Sequence, residues 1–542
     1  MKKITILFIG LLFTAVSLNA QEVHVPAEFE QNEGILLKWN YSSSLDSVVI
    51  KIASVISPEN KVWLLHDPEN VVTIAEIQSM LTDFGANLAN IIFIEGKAEN
   101  PWIRDYGPLT AYQITDQGYT RHFIDSQYFP TEFPEADFLP IQLASDFDFN
   151  YDLMPLNFEG GNLLLDGIGR GFVSDRILAE NPSMNIYQVI QGLYMKLNLN
   201  EIILLPSIPE CGGGEWSELS RLVKFIDPET VLVSQFPANV PYYQQVELLA
   251  DTLSKTYNDV GKALQVVRLP VAPDVNGGFA ADNSGEIRSY TSSLLFNNKI
   301  LIPSYNSDSD SIAFNIYQQL FQGFQVIQIP SLALSALHGS LFRMAVNVPQ
   351  QKFFRLRHSK HTGQIAFEPE LWVNSYVNSP DPVDSIQLFY RVHPSTTYQV
   401  VNAFGCCGGN SGLITGFAIG DTISYYVQAY GGDHIQTLPI GAPVANYTFW
   451  FDLFTSINSE AKEQNITIFP NPASDILFIK GISKSETFAE YTLLNINGIS
   501  VTQGSFQGDS KLNLPKNLPD GFYVIKIITS GKTHFSKLYL HN

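Results

Sequence analysis

Cysteine is nearly missing from this chain: 542 residues contain three, Cys211, Cys406 and Cys407. Two of them are adjacent, and adjacent cysteines rarely pair with each other. A disulfide framework is therefore excluded, and large apolar cores must supply the stability. No CxxC pair and no His/Cys cluster has zinc-ligand spacing, so no metal is expected. Positive charge is scarce too. Lys and Arg number 32 against 53 Asp and Glu, a formal net charge of −21. Phosphates repel such a surface, which argues against nucleic acid or an anionic membrane as partner; a cationic ligand would be attracted. Beyond the first 20 residues no apolar run reaches about 18 residues, the length that crosses a bilayer. The chain also has no solenoid repeat and no low-complexity tract.

What is present begins with MKKITILFIGLLFTAVSLNAQ. Lys2 and Lys3 form a charged start, residues 4–18 are mostly apolar, and Ala20 is a small residue before Gln21. Residues 1–20 read as a secretory signal peptide, with an apolar run short for a membrane span. The mature protein is therefore expected outside the cytoplasm. Hydrophobic residues are 45% and charged residues 16%, a composition that folds. At about 150 residues per domain the length calls for roughly three or four domains.

Residues 21–356 alternate between strand-like and helix-like runs. VWLLH (62–66), NIIFIEG (90–96), NLLLDG (162–167), EIILLP (201–206), TVLVSQF (230–236) and KILIPSY (299–305) look like short buried strands. ENVVTIAEIQSMLTDFG (69–85) and YQQVELLADTLSKTY (243–257) have helical periodicity. Repeated strand–helix units argue for one large α/β domain. Near residue 360 the texture changes to aromatic and β-branched strands with Gly, Pro and Asp turns, among them SIQLFYRV (385–392) and TISYYVQAY (422–430). Residues 360–455 read as a β-sandwich, 456–464 as a polar linker, and 465–542 as a last module of short strands.

PWIRDYGP (101–108) sets an aromatic, a base and an acid before a Gly-Pro turn, and NFEGGNLLLDG (157–167) has a Gly-Gly loop opening into a strand. VPAEFEQNEGILLKW (25–39) precedes them and VKFIDPETVLVSQFP (223–237) follows. Over about residues 24–350 this order of motifs resembles the agmatine deiminase and bacterial peptidylarginine deiminase family. The resemblance implies the pentein fold, an α/β propeller of ββαβ modules with pseudo-fivefold symmetry around a central funnel, here followed by two β-sandwich modules. It implies hydrolysis of a guanidinium group to a ureido group with loss of ammonia, with no cofactor. The ligand would be a small guanidino cation or an arginine peptide, and Trp102, Arg104, Glu159 and Asn162 fall in the motifs that would bind it.

That chemistry explains the residue types. A guanidinium carbon is a poor electrophile, so carboxylates must hold the planar cation while a thiolate attacks and an imidazole moves protons. The resemblance implies an Asp, a His-x-Asp pair, an Asn and a Cys. The Asp is present as Asp105. Counting back from VKFID, Glu218 stands at the His and Ser220 at the Asp. YTSSL (290–294) puts Ser292 at the Asn. GSLFRMAVNVP (339–349) fits the Gly-x-Leu-His-Cys segment without a gap, so Phe342 replaces His and Arg343 replaces Cys. A second register sets His338-Gly339 on the His-Cys pair, and neither register supplies a thiol. Cys211, the one cysteine left in this domain, lies seven residues before Glu218. At the positions of thiolate and imidazolium the chain keeps opposite charges with the signs exchanged. If Arg343 points inward it needs a carboxylate, Asp105, Glu159 or Glu218, and would be a built-in substrate mimic; the alternative places it in solvent. HFIDSQYFPTEFPEADF (122–138) has none of the arginines with which the family grips a peptide C-terminus, and only Arg121 precedes it.

Residues 360–455 resemble the immunoglobulin-like domain that follows the catalytic domain in secreted peptidylarginine deiminases. IFPNPASDILFI (468–479), LLNINGISV (493–501), LNLPKNLPDGFYVIKI (512–527) and KLYL (537–540) resemble a type IX secretion sorting domain of type A. That resemblance implies the secretion machinery as a partner, then release or a place on the bacterial surface. Three readings follow: an inactive secreted homologue that binds a guanidino ligand or acts as a surface protein; an active guanidino hydrolase with a displaced catalytic set; and an adhesive protein using the propeller as scaffold.

Overall fold

A hairpin, a helix and a returning parallel strand recur along the first 350 residues. In the computed structural model the described residues are 22–115, 118–128, 134–208, 218–258, 261–279, 286–406, 409–451, 467–469, 473–474, 476–480, 489–495, 500–508, 510–515, 518–519, 521–529 and 532–540. The expectations for residues 1–20, for 456–464 and for Cys211 and Cys407 lie outside them. Leu109–Thr115 and Gly118–Gln127 form an antiparallel pair; after the helix Pro134–Phe147, Asn150–Asn157 returns parallel to the second strand. Leu163–Leu165, Arg170–Ser174 and Glu201–Leu205 repeat the pattern across the helix Ile186–Leu197. Val223–Asp227, Thr230–Gln235 and Gln265–Ala272 do so across Tyr243–Ser254, and Leu294–Phe296, Lys299–Ser304 and Gln325–Pro330 across Asp308–Leu320. The fifth sheet joins distant parts of the chain. Ala345–Pro349 pairs antiparallel with Asn32–Lys38, which runs parallel to Lys61–His66 and that to Ile91–Glu95.

The sequence dictates these elements in ordinary ways. Parallel strands are covered on both faces, so they read as unbroken apolar runs, and Val62 to Leu65 are all buried. The helix Ile74–Asp83 starts at a capping box in which Thr73 and Glu76 satisfy each other's backbone N–H groups.

Five short turns matter more for function. Ile103–Tyr106, Gly160–Asn162, Leu219–Arg221, Tyr290–Ser292 and Phe342–Met344 lie just before the strands that begin at Leu109, Leu163, Val223, Leu294 and Ala345. Ile103–Tyr106 packs against Gly160–Asn162 and Phe342–Met344, Gly160–Asn162 against Leu219–Arg221, and that turn against Tyr290–Ser292. The topology thus gathers residues from five distant segments.

Two sheets follow as a sandwich. One holds Arg355–His358, Leu371–Asn378, Gly409–Ile414 and Phe404–Cys406; the other is built on Ser385–Val392, Thr422–Gly431 and Tyr447–Phe451. Leu371–Asn378 alternates buried and exposed side chains, the mark of a strand with one face on a core. Arg355–His358 pairs with Leu371–Asn378, and Phe354 and Leu356 pack in the sandwich core, so this module starts ahead of residue 360. The chain divides into a unit ending at Phe451 and a second from Asp452 to Asn542. The second holds its own two sheets and its own core, with Leu477, Leu493, Ile525 and Leu538 fully buried.

Candidate active site

The turn Ile103–Tyr106 carries Asp105, and the turn Phe342–Met344 carries Arg343. Their packing brings the two side chains together. Arg343 Nε donates to both Asp105 oxygens, at 3.0 and 2.9 Å, and Nη2 donates to Oδ2. Nη1 donates to the carbonyl of His338 at 3.2 Å. Glu218 Oε2 lies 3.5 Å from Arg343 Nε. The guanidinium also sits 5.2 Å from the centre of the Trp102 ring. Two carboxylates and an aromatic wall around a planar cation are an arrangement that suits a guanidinium group. Here the chain's own arginine occupies that arrangement, and Asp105, Glu218 and Arg343 are each at most 2% exposed.

Glu218 is fixed from several sides. Ser220 Oγ donates to its Oε1, and Arg221 Nε donates to Oε2 at 3.4 Å. Arg221 Nη2 shares the His338 carbonyl with Arg343. His338 takes a left-handed backbone, φ 53°, which turns that carbonyl toward both guanidinium groups. A Cβ on Gly161 would lie 2.0 Å from Glu218 Oε1, so the second glycine of FEGGN makes room for Glu218. A Cβ on Gly339 would lie 1.8 Å from the Trp102 ring. The segment 338–343 therefore presents Arg343 to Asp105 and lays bare backbone under the indole. Burial pushes the Asp105 carboxyl above the usual range, with Glu159 and Glu218 adding to the push; the Arg343 guanidinium opposes them.

The other motif residues take supporting positions. Asn162 Oδ1 accepts the Leu219 N–H at 3.1 Å and ties the Gly-Gly turn to the Glu218 turn. Glu159 lies 3.6 Å from Arg176, whose Nε forms an ion pair with Glu180 Oε1 at 2.6 Å. Burial raises the Glu180 carboxyl to about 7. Ser292 is buried in the neighbouring turn, where Thr291 Oγ1 donates to the Ser220 carbonyl at 3.2 Å. Arg104 turns to the far side of Phe342: Nε donates to the Phe342 carbonyl at 2.7 Å, and its guanidinium lies 3.7 Å from that ring. Lys224 approaches the same ring at 4.0 Å and bonds Glu28 at 2.5 Å. Arg121 is committed to Glu33 and to the Pro349 carbonyl. Sequence reasoning did not single out Arg221, Lys224 or the His338 carbonyl. Arg221 was open to it, three residues after Glu218 in a short turn; the carbonyl was not, because main-chain direction leaves no mark in residue type.

Residues 24–349 match the Porphyromonas-type peptidyl-arginine deiminases. The chain belongs to that family. A Vibrio parahaemolyticus protein assigned as an agmatine deiminase is 22% identical over 364 residues, 60% of this chain and 96% of its own length. The solved agmatine deiminase of Enterococcus faecalis superposes with a TM-score of 0.52 at 19% identity, over 61% of this chain and 96% of that one. The C. jejuni agmatine deiminase gives 0.50 at 18%, over 61% and 97%. The described residues of 24–349 thus have the propeller-like pentein fold of the deiminases. Residues 467–541 match the secretion system C-terminal sorting domain, so this deiminase-family protein leaves the cell by type IX secretion, to the surface or the medium. The five turns at the centre of its pentein fold hold an arginine–carboxylate cluster.

Proposed function

We propose that this chain is a catalytically silent member of the deiminase family, secreted to serve as a surface or binding protein. One observation carries the reading: the guanidinium of Arg343 is bonded to Asp105 where a substrate guanidinium would be held. A guanidinium has no lone pair with which to attack carbon, and it stays protonated. Glu218 and Ser220 supply neither an imidazole nor the paired carboxylate of a His-x-Asp motif. A guanidino ligand would have to displace a buried ion pair, so the surface-protein role is favoured over guanidino binding at this site. In this reading residues 1–20 are removed as a signal peptide, the five sheets are blades in pseudo-fivefold order, and residues 355–451 are an immunoglobulin-like module.

The test is release of ammonia and ureido product from agmatine and from arginine peptides by the purified chain. No product above the blank is expected. Turnover that disappears on Asp105→Asn substitution would overturn the proposal, and loss on Cys211→Ala would point to a displaced nucleophile.

A further inference from the structure

A second feature of the same centre lies on the far side of Phe342. A cavity of about 90 Å³ is lined there by Glu28, Asn32, Arg104, Thr110, Phe342 and Asn347, among others. It is part-open, so small solutes can enter. Its polar side chains are mostly engaged. Glu28 bonds Lys224 and the Leu295 N–H, Asn32 Nδ2 donates to the Glu30 carbonyl, and Thr110 Oγ1 donates to the Asn347 carbonyl. Arg104 differs. Its Nε is used by the Phe342 carbonyl, and Nη2 has only a long contact of 3.5 Å to Asn347 Oδ1.

The charge around Arg104 is unevenly shared. Three carboxylates, Glu28, Glu218 and Asp105, favour its positive form. Each has a closer cation: Lys224 for Glu28, Arg343 for Asp105, and Arg221 and Arg343 for Glu218. Among the described residues Arg104 has no ion pair of its own. Burial lowers it to about 10, so it is charged at neutral pH. A charged fork with unused N–H groups on a small cavity is a receptor for an anion.

We infer that this cavity binds a small monovalent anion, of carboxylate or halide size, on the guanidinium of Arg104. Size follows from the volume, which has room for a few water-sized atoms. A single charge follows from Glu28, whose carboxylate lines the same cavity and would repel a dianion. The planar fork favours a carboxylate such as formate over a spherical halide, because two parallel N–H groups match its two oxygens. The site is independent of whether the chain turns over a guanidino substrate.

The experiment uses the full-length chain. Formate, chloride and bromide are titrated at constant ionic strength against a bulky counter-anion, with Tm as readout, and crystals are soaked in bromide. A Tm rise that saturates, half-saturating at lower formate than chloride, is expected, with an anomalous bromide peak against Arg104. Arg104→Met should raise the half-saturating concentration roughly 10- to 100-fold, the worth of a charge-assisted hydrogen bond. Arg104→Lys should keep weakened binding. If Arg104→Met does not fold, the bromide peak in the parent decides. An empty or water-filled cavity in the soaked crystal, together with a Tm that follows ionic strength alone, would overturn the inference.

Discussion

Arg343 donates through Nε and Nη2 to the carboxylate of Asp105, 238 residues earlier in the chain. The pair joins the turn that leads into Ala345–Pro349 of the fifth sheet to the turn that opens the first hairpin. Burying either partner alone would be costly; together, with Glu218 and the His338 carbonyl, they satisfy most of each other's bonding capacity. This arginine–carboxylate cluster is thereby part of the folded core in this chain.

Arg343→Ala should cost about 3–5 kcal/mol, because it strands two carboxylates that stay buried. The truncation also leaves a space the shape of the lost guanidinium. Agmatine at millimolar concentration should therefore raise the Tm of the variant and leave the parent unchanged. Thermal unfolding with and without agmatine checks both statements. A destabilised variant that ignores agmatine would show that Arg343 fills ordinary core space and does not imitate a ligand.

Gly339→Ala should be more damaging than its single methyl group suggests. The added Cβ would meet the Trp102 ring at 1.8 Å, and that ring is buried on a turn whose N–H is held by Asn100 at 2.8 Å. Neither side can retreat cheaply, and a loss of about 3 kcal/mol is expected. Gly405→Ala is the control. Nothing lies within 4 Å of its added Cβ, so a change within about 0.5 kcal/mol is expected. Denaturant unfolding of the two variants side by side is sufficient.

Much of this was legible in the sequence, for reasons that can be named. Lys61–His66 and Lys299–Ser304 were readable because parallel strands covered on both faces must be continuously apolar. Asp105 and Arg343 were readable as candidates because motif order and spacing placed them. The partner of Arg343 was not, since three carboxylates competed and only the packing of the five turns chose Asp105 as the principal acceptor. The placement of Arg104 was not legible: it stands next to Asp105 in the chain, yet consecutive residues of a helical turn point about 100° apart, and it faces the other side of Phe342. The start of the sandwich was blurred because Arg355–His358 follows the fifth sheet after only a few residues.

Glu180 gives a pH signature. Its folded carboxyl is raised by burial to about 7, against an ordinary value of 4.5. The folded state then holds this proton more tightly than the unfolded chain does. Stability from that proton is full below pH 4.5 and is lost as pH rises through 7. Glu180→Gln imitates the protonated form, and Arg176 keeps Glu159 at 3.6 Å as a partner. The variant should match the parent at pH 4.5 and exceed it by roughly 1–3 kcal/mol at pH 8. Unfolding at the two pH values checks this, and a variant weaker than the parent at pH 8 would show that Arg176 needs the Glu180 charge.

The last unit separates export from folding. Residues 467–541 match a sorting domain, and the unit from Asp452 has its own sheets and its own apolar core. The deiminase-like sheets and the sandwich are built on other clusters, around Leu64, Val233, Ile302 and Tyr425. Deleting 467–541 should therefore leave the main thermal transition within a few degrees of the parent while abolishing appearance at the surface or in the medium. Cell fractionation with an antibody to the deiminase-like part reads the second outcome, and calorimetry of the purified proteins reads the first. Surface display by the truncated chain would mean that the export signal lies elsewhere. Loss of the main transition would mean that the first unit depends on the second for its stability.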